Sequence, residues 1–228
     1  MTSTALAREL TRLLDLDHSP VAVTFHEQEP AEQLRSRPAP EPAGYCCFWA
    51  KAEHRRLHTT AADHADCSVG SYTHGLIALA EAAAGRDTAA LVDSGWVTEA
   101  DLGNAPSVAA TPAAITYEPL DEAEDADVVL VRLTASSLMS LQGARPDLSV
   151  VTKPQCQIVP LALQGTIAVS PGCAVSRVRT GLPADELTCA FPARELADIL
   201  ARLARSLTAD AAVSAYADSD IHQNITPA

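Results

Sequence analysis

Short β-branched runs alternate irregularly with amphipathic helical runs along this chain, and no run of either kind is long enough to dominate the fold. Residues 3–16 carry Leu6, Leu10, Leu13 and Leu14 at i, i+4, i+7 and i+8, with Thr2 or Ser3 placed as a cap, which predicts an amphipathic helix. Val21-Ala22-Val23-Thr24-Phe25 after Pro20 reads as a strand, and so do residues 115–117, 128–133, 166–170 and 187–191, with a further candidate at 57–61. Helices are expected at 46–52, at 134–142, at 154–163, and from Pro192 onward, where Leu196, Ile199, Leu200 and Leu203 share a face. One long apolar helix is expected to open at Cys67 and run to Ala84, stopped by Gly85. The Pro-rich stretch 29–44 and residues 93–112, with Gly95, Gly103, Pro106 and Pro112, read as loops. This order implies an α/β (or α+β) fold, a mixed sheet flanked by helices. One domain is expected over 1–208, divisible into lobes of about 1–112 and 113–208, with 209–228 a frayed tail.

Charge and composition narrow the function. Aromatic residues make up only 4% of the chain against 47% apolar residues, so the core must be built mostly from Ala, Val and Leu. A formal net charge of −13 repels phosphate backbones and anionic lipid heads, which argues against nucleic-acid and membrane partners. The opening MTSTALARELTRLL has no basic segment followed by an apolar one, and the most apolar window, 76–92, is interrupted by Glu81, Arg86 and Asp87. A cytoplasmic location follows as the expectation. In that reducing compartment the six cysteines are better read as ligands or nucleophiles than as disulfides.

The cysteines differ in context. Cys189 alternates with Leu187 and Phe191 along a strand, which suits a small core residue. Cys46 and Cys47 are neighbours, and adjacent helical residues point about 100° apart, so at most one of them should join a given site. Cys47 and Cys67 open helices, Cys156 follows Pro154, and Cys173 sits in a Pro-Gly turn. Free backbone N–H groups at such places lower a thiol's pKa and can hydrogen-bond to a cluster's sulfurs. Spacing alone leaves two readings open, buried structural thiols or a shared metal site, because no CxxC pair is present.

The segment Cys47-Phe48-Trp49-Ala50-Lys51-Ala52, then Asp66-Cys67-Ser68-Val69-Gly70 with Gly75-Leu76, resembles the first half of the DUF169 family. Asp127-Val128-Val129, Cys156 with Pro160, Gly172-Cys173 with Arg177, Asp185-Glu186-Leu187 and Phe191-Pro192-Ala193 resemble its second half. The likeness spans about residues 5–205, with short motifs and two departures: His54-Arg55-Arg56 in place of a glycine turn, and the extra thiol Cys46, which makes the first ligand ambiguous. The family's recurring cysteines imply an iron–sulfur site, carried onto Cys47, Cys67, Cys156 and Cys173.

Four thiolates suit either Zn²⁺ or an iron–sulfur cluster. Ligands spread over more than half the chain favour a [4Fe–4S] cluster between the two halves over a zinc ion clamped by local pairs. The expected function is therefore redox or Lewis-acid chemistry on a small molecule, with an electron donor such as a ferredoxin. Lys51, one turn after Cys47, and Arg177, one turn after Cys173, are the candidates for substrate contact, Arg177 by a bidentate grip on a carboxylate. Three alternatives stand beside this: zinc held by His54, His58 and Cys67 with His64 nearby; a non-catalytic redox-sensing module; and Cys67 as a nucleophile activated by its helix N-terminus and by His64 or His74.

Overall fold

A computed structural model describes residues 1–30 and 43–219. Most of the Pro-rich stretch expected at 29–44, and the end of the expected tail, lie outside the described residues. The first half of the chain contributes α1 (Ser3–Leu14), β1 (Val21–His26), α2 (Tyr45–Ala52), β2 (Leu57–Thr59), α3 (Ser68–Thr73), α4 (Leu79–Ala84), α5 (Arg86–Asp93) and α6 (Glu99–Asn104). There follow β3 (Ala114–Pro119), β4 (Val128–Thr134), α7 (Ala135–Ala144), β5 (Ser149–Val150), α8 (Ile158–Leu163), β6 (Ala168–Ser170), α9 (Ala174–Thr180), β7 (Glu186–Pro192) and α10 (Leu196–Ser219). No helix among the described residues is long and apolar enough to cross a membrane.

The seven strands form one mixed sheet in the order β2-β3-β1-β4-β7-β6-β5. Every neighbouring pair is antiparallel except β5 and β6. Because β3 lies between β2 and β1, strands from either side of residue 112 interleave, and the sheet offers no dividing line between lobes there.

Side chains alternate across a strand, so each inner strand feeds two cores. Val21, Val23, Val128, Leu130, Ala168 and Ala190 pack on one face with α2, α3 and α8. Ala22, Val129, Val131, Val169, Cys189 and Phe191 pack on the other, against the leucines of α1 and the apolar stripe of α10. The register that pairs Val131 with Cys189 puts that thiol on the second face, fully buried. Cys46 and Cys156 belong to the first face. The sheet itself thus separates Cys189 from the other cysteines.

Three expectations are corrected. The long helix from Cys67 to Ala84 is two helices. Gly75 takes φ +73°, and the Leu76 N–H to Ser71 O and Gly75 N–H to Tyr72 O bonds close α3 in a Schellman turn. A Cβ on Gly75 would stand 2.7 Å from Ala110 O and 2.8 Å from Val108 O, so the break also admits a passing strand of backbone. The loop expected at 93–112 contains α6, capped by a reciprocal Thr98–Asp101 box. The frayed tail after residue 208 is instead a continuation of α10 as far as Ser219, exposed beyond its buried first half.

Candidate functional site

The sheet's first face is roofed by α2, α3, α9 and the turn before α8, and a cavity of about 420 Å³, mouth included, opens among them. Cys46, Cys67, Cys156 and Cys173 line it together with Tyr45, Trp96 and Gln155. These thiols come from four segments, two before residue 112 and two after.

Each is delivered by a local device. Cys67 is the N-cap residue of α3, and Gly70 one turn on leaves room for it: a Cβ there would lie 3.2 Å from Cys67 Sγ. Cys156 lies in a short 3₁₀ turn, Gln155–Gln157, that begins after Pro154. Cys173 caps α9: its Sγ accepts from the Ser176 N–H at 3.4 Å while Ser176 Oγ accepts from the Cys173 N–H at 2.9 Å. Gly172, at φ +80°, makes the turn that brings Cys173 there.

Of the adjacent pair on α2, Cys46 lines the cavity and Cys47, the ligand carried over from the family motif, does not. The helical angle between neighbours separates them. Their chemistry also diverges. The Cys46 thiol hydrogen-bonds to Cys47, which with Arg179 and Lys51 nearby brings Cys47 down to about 6, while Cys46 is pushed up. Burial raises Cys67 and Cys156, and the neighbouring thiols add to the rise at Cys156. Lys51 is exposed and acts on this site through its charge.

Arg179, which the sequence did not single out, is a cation beside the thiols. Its Nη2 donates to Asp66 O at 3.0 Å, and the guanidinium hydrogen-bonds to Cys67. It lies against Gly44, where a Cβ would come within 2.5 Å of Nη1 and 3.2 Å of Cys67 Cβ. Arg177 has another role. Its guanidinium donates to the carbonyls of Pro171, Leu182, Pro183 and Glu186, which takes up the fork expected to grip a substrate carboxylate. It is a positioning residue that pins the Cys173 turn.

Among the described residues, His54, His58 and Cys67 form no group that could hold a metal ion. His54 is exposed after α2, and His58 on β2 lies 3.4 Å from Thr116 Oγ1. His64 Nε2 donates to Thr59 Oγ1 at 3.0 Å, because that hydroxyl gives its own hydrogen to Ile115 O. His74 Nδ1 donates to Gly70 O at 2.9 Å. Among the described residues the remaining nitrogens, His64 Nδ1 and His74 Nε2, have no partner, so neither imidazole bonds one of the thiols. Burial holds both rings neutral, each at about 3. They sit with Tyr45, Phe48 and Tyr117 in one aromatic cluster, His74 only 4.2 Å from the Tyr45 ring.

The other residue the sequence did not single out is Gln155. It is 2% exposed, lines the cavity beside Cys156, and among the described residues neither its Nε2 nor its Oε1 has a partner. A buried polar group left so costs about 1–3 kcal/mol.

Among the described residues, no three His, Cys, Asp or Glu side chains form a group ready to hold a metal ion as they stand. The four thiols surround a space; they do not converge on a point. A single Zn²⁺ needs sulfurs about 2.3 Å from one centre. A multi-iron cluster takes its thiolates at separate corners, and four thiols lining one cavity are the kind of donor set such a group uses.

A mixed α/β sheet protein with a thiol-lined cavity on one sheet face is the class these features define. The chain belongs to the DUF169 family, described as an uncharacterised ArCR, whose profile matches residues 9–202. Searches of curated proteins and of solved structures return no match.

Proposed function

We propose that this chain is a cytoplasmic iron–sulfur protein acting on a small molecule, with Cys67, Cys156, Cys173 and a thiol of the Cys46–Cys47 pair holding a [4Fe–4S] cluster. The observation that supports it is the shared cavity: four cysteines far apart in sequence line one space, while Cys189 is walled off by the sheet. Of the α2 pair, the cavity position favours Cys46 as the fourth ligand, with Cys47 the ionised neighbour beside Arg179. A bound cluster supplies single electrons or, if one iron lacks a thiolate, an open Lewis-acid position.

The protein's own residues have separable tasks in this scheme. Gly44 and Gly70 leave the space that Arg179 and Cys67 need, Arg177 holds the Cys173 turn, and Arg179 offsets negative charge on the thiolates. Apolar Trp96, Leu91 and Val69 limit water around the site. Reduction requires an electron donor such as a ferredoxin. A thiol-nucleophile role for Cys67 has less support, because its pKa is raised and neither His64 nor His74 bonds a thiol.

The test is cluster retention in protein purified without oxygen. Cys156→Ala and Cys173→Ala are expected to lose the brown colour, Cys46→Ala likewise, and Cys47→Ala and Cys189→Ala to keep it. Bleaching by Cys189→Ala with colour retained in Cys173→Ala contradicts the ligand set.

A further inference from the structure

Two residues of the cavity wall, Leu91 and Trp96, come from a segment that the rest of the fold holds lightly. Thr88 is the one buried residue of α5, and among the described residues its hydroxyl has no partner. The preceding helix, α4, buries Ala82 alone. Helices as short as these have little stability of their own, so packing and side-chain fastenings must keep them in place.

Two fastenings are present, and each ends beside a cysteine turn. The Asp87 carboxylate accepts from the Ser68 N–H at 2.8 Å and from the Ser68 hydroxyl at 2.5 Å, one residue after Cys67. Gly85 permits this approach, since a Cβ there would collide with the Ser68 side chain. At the other end Lys153, three residues before Cys156, donates from Nζ to Trp96 O and lies 5.0 Å from the centre of the Trp96 ring. The Trp96 N–H to Leu91 O and Gly95 N–H to Val92 O bonds, with Gly95 at φ +71°, tie Trp96 to the end of α5. Helix and indole are therefore one piece.

We propose that α5 and the Trp96 turn form a cover over the thiol-lined cavity, which opens by local release of the Asp87–Ser68 and Lys153–Trp96 fastenings. Lys153 is exposed, where a cation–π contact is weak, so release costs far less than global unfolding. Opening gives solvent, and whatever the cavity takes up, a path to Cys156, which is only 7% exposed in the closed form. Closing returns Leu91 and Trp96 to the wall and shuts water away from the thiols.

Hydrogen exchange on the full-length protein, purified without oxygen, tests the cover against Lys153→Met and Asp87→Ala. In the parent the α5 amides are expected to exchange together, ahead of those of α3 and β4. In Lys153→Met they should exchange about fivefold faster again, the worth of one exposed cation–π contact. Access to the cavity is read in the same samples after chelation of iron, as the rate at which N-ethylmaleimide modifies Cys156. Cys189, on the opposite sheet face, reports global unfolding. Cys156 is expected to react faster in both variants while Cys189 stays protected. Protection of α5 equal to that of α3 and β4 in the parent, or an unchanged Cys156 rate in both variants, overturns the cover. Where Cys189 reacts along with Cys156 the variant has unfolded, and the parent's exchange pattern decides. Neither readout needs bound iron, so the cover and the cluster stand or fall separately.

Discussion

At the scale of single residues, the Cys46 thiol, and Arg179 with the space Gly44 leaves for it, set the ionisation of Cys47. Gly44 allows the Arg179 guanidinium to lie over the start of α2, and the charge of Arg179 is one reason that Cys47 ionises at about 6. Arg179→Gln is expected to move that ionisation upward, and the pH dependence of Cys47 alkylation in iron-free protein measures the shift; an unchanged profile would refute the role given to Arg179. Cys189→Ala should cost about 1 kcal/mol of packing and leave the cavity untouched, since the residue lies on the opposite sheet face. Denaturant unfolding checks the first part and iron content the second. The cysteines were visible in the sequence because each candidate stands at a turn or a helix start. Arg179 and Gln155 were not. Arg177 is nearer to Cys173 in sequence and looked like the better cation, yet the carbonyls of Pro171 and Pro183, brought close by the turn, take up its donors. Gln155 looked like an ordinary polar neighbour of Cys156, and only its burial without a partner marks it.

At the scale of elements, α1, α2, β1, β3, β4, α7 and β7 were legible within a residue or two, because each has a clear period or cap. The break after α3 was not, since the apolar run from Leu76 onward masks Gly75, which is left-handed in the turn closing α3 and lies against the backbone carbonyls of Val108 and Ala110. Gly75→Ala is accordingly expected to destabilise by about 1–3 kcal/mol through strain and close contact, measurable as a lower denaturation midpoint. The helix α6 had a legible signal, Thr98 three residues before Asp101, outweighed by the surrounding Gly and Pro. Two neutral histidines in the roof also give the fold a pH dependence. Both are held near 3, below the ordinary 6.5, so the unfolded chain binds their protons first and stability falls as pH drops. Between about pH 6.5 and pH 3 the loss should approach 1.4 kcal/mol per pH unit for each ring. Urea unfolding at pH 7 and pH 5 measures it, and a midpoint unchanged over that interval contradicts the burial of both rings.

At the scale of the whole molecule, one sheet separates two cores and thereby sorts the cysteines. The sequence pattern indicated a mixed sheet with flanking helices, since alternating strands and amphipathic helices have few other ways to bury both sheet faces. It could not show that β3 inserts between β1 and β2, because pairing order depends on contacts remote in sequence. That insertion ties the two halves together and brings the segments of Cys46 and Cys67 over the same face as those of Cys156 and Cys173. The central claim is that this convergence exists to hold an iron–sulfur cluster. Chemical analysis of iron and acid-labile sulfide in protein purified without oxygen tests it most directly. About four of each per chain is the predicted result. Protein free of iron and sulfide when produced with both in supply would contradict the account.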